Sequence, residues 1–131
     1  MAGLPDLPTM IAIMMETALT KNSLSELSIN LEALAANYHF LAEQSAPSEC
    51  AAVVKANAYG LGLRAVTRAL EKAGCKTFFV ATLDEGLALR TITKRTIYVF
   101  AGVTEENMLA LAEASLRPVL NSIQQVELWN S

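Results

Sequence analysis

A single histidine and two cysteines in 131 residues leave this chain poor in the soft donors from which metal centres are built. Cys50 and Cys75 have neither the close pairing of a zinc site nor the dense framework of a disulfide-stapled domain, so both read as reduced, buried thiols. An excess of positive charge is also lacking. Ten Lys and Arg against 13 Asp and Glu give a net charge of −3, and the basic residues are scattered, which excludes the electrostatic footprint of a nucleic-acid binder. No apolar run approaches the ~20 residues of a membrane-spanning helix. The apolar segment Leu7 to Met15 lacks the basic leader and small-residue cleavage site of a secretory signal, so a cytoplasmic location is expected. Aromatics are sparse at 6%, yet 53% of the chain is hydrophobic and only 18% charged. The abundance is aliphatic, and strands covered in a parallel sheet would absorb it.

Residues 1–23 read as an extension, with a short helix beginning at Pro8. Beyond it, a short strand at Leu27 to Ile29 leads into a helix from Leu31 to Gln44, whose apolar face is Leu31, Leu34, Ala35, Tyr38 and Leu41. Four strand-helix units follow. The strands are Cys50 to Val54, Thr77 to Ala81, Thr96 to Ala101 and Arg117 to Leu120; the helices begin near Leu63, Leu83, Thr104 and Ser122. Pro118 cannot donate to a ladder and marks the last strand as an edge or irregular one. Glu105 and Glu106 behind Thr104 suit a helix start. Strand and helix alternating at this spacing predict parallel βαβ units in an α/β fold, with outer helices and open edges at the strand from Cys50 and the strand near Val119.

Lys55 stands out in this frame. It follows the apolar run Cys50-Ala51-Ala52-Val53-Val54, which reads as a strand covered on both faces, and it precedes the glycine-rich turn Ala58-Tyr59-Gly60-Leu61-Gly62. Desolvation disfavours an ammonium, so an amine placed there gives up its proton readily and can condense with an aldehyde. On spacing alone, a strand-end lysine snorkelling to water is an equal reading. Asn57, in the tight turn after the lysine, is suited to a local bond from side chain to backbone that would hold Lys55 in place.

The run Ala52-Val53-Val54-Lys55-Ala56-Asn57-Ala58-Tyr59-Gly60, with a second glycine at Gly62, resembles the pyridoxal-phosphate attachment motif of the alanine racemases. Leu27-Ser28-Ile29-Asn30-Leu31-Glu32 is similar to that family's opening strand and helix, with Asn30 in place of the usual aspartate. Val80 to Arg90 and Ile97-Tyr98-Val99-Phe100 resemble its second and third strands. The resemblance implies that Lys55 holds pyridoxal 5'-phosphate and serves as one of two catalytic bases, that Tyr59 contacts the cofactor phosphate, and that Phe100 packs beside the cofactor. It also implies an amino-terminal portion, residues 24–131, of a (β/α)8 TIM-type barrel, since a whole barrel takes about 250 residues. The family's C-terminal β domain, with the second base, is then absent.

The implied activity is interconversion of L- and D-alanine, supplying D-alanine for peptidoglycan. The family works as a homodimer, and the isolated chain is expected to be inactive. A non-catalytic pyridoxal-phosphate-binding half-barrel and a fragment of a fold-related amino-acid decarboxylase remain as alternatives. The other eye-catching residues read plainly. His39 has no second ligand at helical spacing and reads as a surface residue. Asp84 and Glu85 point to different faces of a helix, so they read as first-turn partners of its dipole rather than as paired carboxylates. Tyr98 and Trp129 read as packing residues.

Overall fold

The computed structural model describes residues 26–131; the expected extension and its helix at Pro8 lie outside the described residues. Glu26 to Asn30 form no strand, and Leu27 is 73% exposed. Nothing in the sheet pairs with this segment, and a strand without a ladder has no partner for its backbone groups. Instead Asn30 caps helix α1 (Leu31–Ser45), its Oδ1 accepting from the Ala33 N–H at 2.9 Å.

Helix α1 lies against the sheet edge. Leu31, Leu34 and Tyr38 pack on the core, whereas Leu41, expected on the same face, is exposed. The Tyr38 hydroxyl donates to the Cys50 carbonyl at 3.1 Å, just before the first strand. Burial, and after it the neighbouring Cys75 and Cys50 thiols and Glu49, push this phenol up to about 12, so it stays a donor at neutral pH.

Four parallel strands follow in chain order: β1 (Ala52–Val53), β2 (Thr77–Val80), β3 (Thr96–Val99) and β4 (Arg117–Pro118). Parallel neighbours need crossovers. Helices α3 (Leu63–Lys72), α4 (Leu83–Arg90) and α5 (Met108–Glu113) supply them, and α6 (Ile123–Trp129) follows β4. A short turn, α2 (Lys55–Tyr59), precedes α3.

Ladder strands β1 and β4 are shorter than the sequence predicts, two residues each. Both are edges, as expected. Pro118 contributes no N–H, and pairing resumes with the Val119 N–H on the Val99 carbonyl at 2.9 Å. The expected helix start at Thr104 is a turn: Thr104 N–H donates to Asn107 Oδ1 at 2.8 Å, and regular helix begins at Met108.

The two faces of the sheet differ. Phe78, Val80, Ile97 and Val99 point into a core closed by Val66 and Leu70 of α3, Leu89 of α4, Leu111 of α5 and Leu116. Gly86 lets α4 approach closely: a Cβ there would stand 2.9 Å from Leu116 Cδ1 and 3.3 Å from Val99 Cγ2. Among the described residues nothing covers the opposite face. Along it the register sets Val53, Phe79, Tyr98 and Arg117 side by side. Phe79 stacks on Tyr98 at 4.9 Å, and the Arg117 guanidinium lies 5.7 Å from the Tyr98 ring centre. Val53 is 40% exposed, so the strand before Lys55 is covered on one face, not two. Both cysteines are free as expected, but only Cys75 is buried; Cys50 is half-buried at the edge.

Arg90 ties the opposite, N-terminal ends of the strands together. Its guanidinium donates to the carbonyls of Thr93, Arg95, Ala114 and Ser115 at 2.8 to 3.2 Å.

Candidate active site

Lys55 begins the turn at the C-terminal end of β1, half-buried. Two residues beyond the open-face row come Lys55 after β1, Ala81 after β2 and Phe100 after β3. The sheet bonding continues to this level, with Val54 N–H on the Phe79 carbonyl and Phe100 N–H on the Val80 carbonyl, each at 2.9 Å. Phe100 is 39% exposed and stacks on Phe79, their rings 5.1 Å apart. An amine and an aromatic face thus lie at one end of an open sheet, where parallel α/β folds place their ligands.

The turn after Lys55 winds left-handed. Ala56, Asn57, Ala58 and Tyr59 all have φ between 52° and 55°. L-residues pay roughly 1–2 kcal/mol each in that conformation, so something must hold it. Ala58 is buried, and its N–H donates to the Val54 carbonyl at 3.0 Å. Gly60 and Gly62 follow at φ 83° and 96°, where their lack of a Cβ matters. Asn57 makes a local bond to backbone, as its position predicts: its Oδ1 accepts from the Leu63 N–H at 2.8 Å and caps α3 from outside. Gly62, at the helix's own cap position, offers no side chain for that work. The outcome of this winding is that Tyr59 stands 62% exposed beyond Lys55.

A second fastening was not foreseen. Glu85, in the first turn of α4, accepts from the Ala56 N–H through Oε1 and from the Ala81 N–H through Oε2, each at 2.7 Å. One carboxylate therefore joins the two loops that leave β1 and β2. Burial pushes this carboxyl up. The backbone N–H groups of Ala56, Ala81 and Thr82, with the Lys55 charge, outweigh it and hold Glu85 below the ordinary glutamate value. The helix-dipole reading of Glu85 stands but is incomplete; nothing in local periodicity points to partners on other loops.

The donor set suits a small carbonyl compound bearing an anionic group: an amine able to condense, an exposed phenol able to donate, and an aromatic wall. It does not suit a metal ion, because among the described residues no three His, Cys, Asp or Glu side chains converge. His39 is exposed on α1, as expected. Tyr98 packs in the open-face stack, and Trp129 packs against the core.

The family described as "Alanine racemase, N-terminal domain" matches residues 29–131. An alanine racemase of Methylobacterium sp. (strain 4-46) is 47% identical over 106 residues, which is 80% of this chain and 29% of that protein. The crystal structure of alanine racemase from Bartonella henselae with covalently bound pyridoxal phosphate superposes with a TM-score of 0.73 at 43% identity, covering 77% of this chain and 29% of that one. A histidine racemase from Leuconostoc mesenteroides subsp. sake matches with a TM-score of 0.69 at 26% identity, over 76% of this chain and 27% of that one. The chain thus spans less than a third of the length of these relatives.

Proposed function

The chain belongs to the alanine racemase N-terminal-domain family, and we propose that it supplies the cofactor lysine of a pyridoxal-phosphate-dependent alanine racemase. The observation that carries this reading is Lys55 itself: an amine at the C-terminal end of β1, held by a turn fastened to two neighbouring elements. Four parallel strands with outer helices then form one part of a (β/α)8 barrel.

Lys55 would hold pyridoxal 5'-phosphate through its Nζ, Tyr59 would donate its hydroxyl to the phosphate, and Phe100 would form a wall beside the ring. When bound, the cofactor supplies an electron sink that makes the α-proton of an amino acid removable. Lys55 Nζ is the base that takes up and returns this proton on one face. Racemisation requires a second base on the opposite face, and on this reading the C-terminal β domain of the family, in the partner subunit, brings it. Alanine is the substrate most relatives name, and D-alanine for peptidoglycan is its use. The working unit is a homodimer in the cytoplasm. Among the described residues no helix is long and apolar enough to cross a membrane.

The chain alone is expected to form D-alanine from L-alanine no faster than free pyridoxal phosphate does. Losing one positioned base lowers a rate about 10²- to 10⁴-fold, and the opposite-face base and most phosphate contacts lie outside residues 26–131 on this reading. Addition of the C-terminal remainder of the Bartonella henselae enzyme should raise the rate, dependent on Lys55. A fast, Lys55-dependent rate from the chain alone would contradict the assignment of the second base to another part.

A further inference from the structure

We infer that Glu85 is a positioning residue of this site: its carboxylate fixes the left-handed turn on which the Lys55 amine is carried. The inference rests on the proposed cofactor role of Lys55 and deepens it.

The geometry separates this role from that of a helix-start carboxylate. A first-turn acid stabilises a helix dipole from many positions, and Asp84 beside it is exposed and does only that. Glu85 does something Asp84 cannot. Its two oxygens each take one backbone N–H, from loops that belong to different strands, at 2.7 Å. Ala56 is the residue next to Lys55 and the first of the four left-handed ones. Its N–H lies in a turn that curls away from the sheet, where no ladder bond reaches it. An anion there satisfies that donor, and the charge-assisted bond is stronger than one to a neutral acceptor.

Chain chemistry narrows the residue type further. Glutamine keeps one acceptor oxygen, but its amide nitrogen cannot accept from the second N–H. Aspartate is a methylene shorter and cannot span both loops from the same helix position. Glutamate alone among the common side chains offers two anionic acceptors at this reach.

The test uses the 131-residue chain as wild type, Glu85→Gln, Glu85→Ala and Asp84→Asn. Amide hydrogen exchange is read at Ala56 and Ala81 against core amides of β2 and β3. Lysine labelling is read by adding pyridoxal phosphate, reducing with borohydride and mapping peptides. In Glu85→Gln, exchange at Ala56 or Ala81 should accelerate about tenfold with core protection unchanged, and the share of label on Lys55 relative to Lys72 and Lys76 should fall severalfold. Asp84→Asn should match wild type in both. Unchanged labelling selectivity in Glu85→Gln would overturn the inference, and so would loss of protection throughout the core, which would make Glu85 a general stabiliser. Glu85→Ala should lose both local bonds and deepen the effect. If wild type itself shows no preference for Lys55, the cofactor reading fails and the positioning role goes with it, whatever the amides show.

Discussion

Lys55 takes its place from residues far along the chain as much as from its own strand. Glu85 and Asn57 bind the backbone on either side of the left-handed turn, and Ala58 is buried inside it. The lysine and its glycine-rich sequel were legible in the sequence because residue type and local order carry them. So was the bond from the Asn57 side chain to backbone, since asparagine tolerates this conformation and reaches nearby N–H groups. The left-handed winding of Ala56 and Ala58 was not legible, because alanine ordinarily avoids it and only tertiary bonds impose it. The Glu85 clamp gives a pH prediction. A carboxyl whose value is lowered on folding contributes stability that is complete above its ordinary value of 4.5 and is lost as the pH falls through the lowered one. Protection of the Ala56 and Ala81 amides should therefore hold at pH 6 and decline below pH 4.5, while Glu85→Gln shows no such decline. An acid-independent protection in wild type would contradict the charged clamp.

At the scale of elements, α3, α4 and α6 begin at or beside the residues expected for them, Leu63, Leu83 and Ser122, and β2 and β3 lie within the runs expected for them. The edges do not match their expectations. The strand expected at Leu27 to Ile29 has the right residue types but no neighbour, and β1 and β4 shrink to two residues where pairing is one-sided. Propensity describes a strand; a ladder makes one. Gly86 offers a test of how tightly α4 is seated. Alanine there would gain about 1 kcal/mol of helix propensity, but its methyl would meet Leu116 and Val99 in the closed core. Overpacking costs about 1–3 kcal/mol, so it should win. Gly86→Ala is expected to lower the urea midpoint by an amount corresponding to about 1 kcal/mol, and a raised midpoint would show that the helix can shift outward.

At the scale of the whole molecule, the described residues form a one-sided sheet. Among the described residues, helices cover one face, Val53, Phe79, Tyr98 and Phe100 lie along the other, and no strand pairs with the outer edge of β1 or β4. The α/β class and the order of strands were readable from alternation alone, and the partial barrel from the resemblance carried by Lys55, Tyr59 and the flanking strands. What covers the open face is not written in these residues. A sheet with free edges and an uncovered aromatic row self-associates, so size-exclusion chromatography should show oligomers that grow with concentration; a dispersed monomer at high concentration would contradict this. The central claim is that Lys55 is the attachment lysine. Its most direct test is borohydride reduction of the chain mixed with pyridoxal phosphate, followed by peptide mapping. The account predicts label concentrated on Lys55 and its loss in Lys55→Ala, with Lys72→Ala and Lys76→Ala still labelled at Lys55; label spread evenly over all lysines would contradict it.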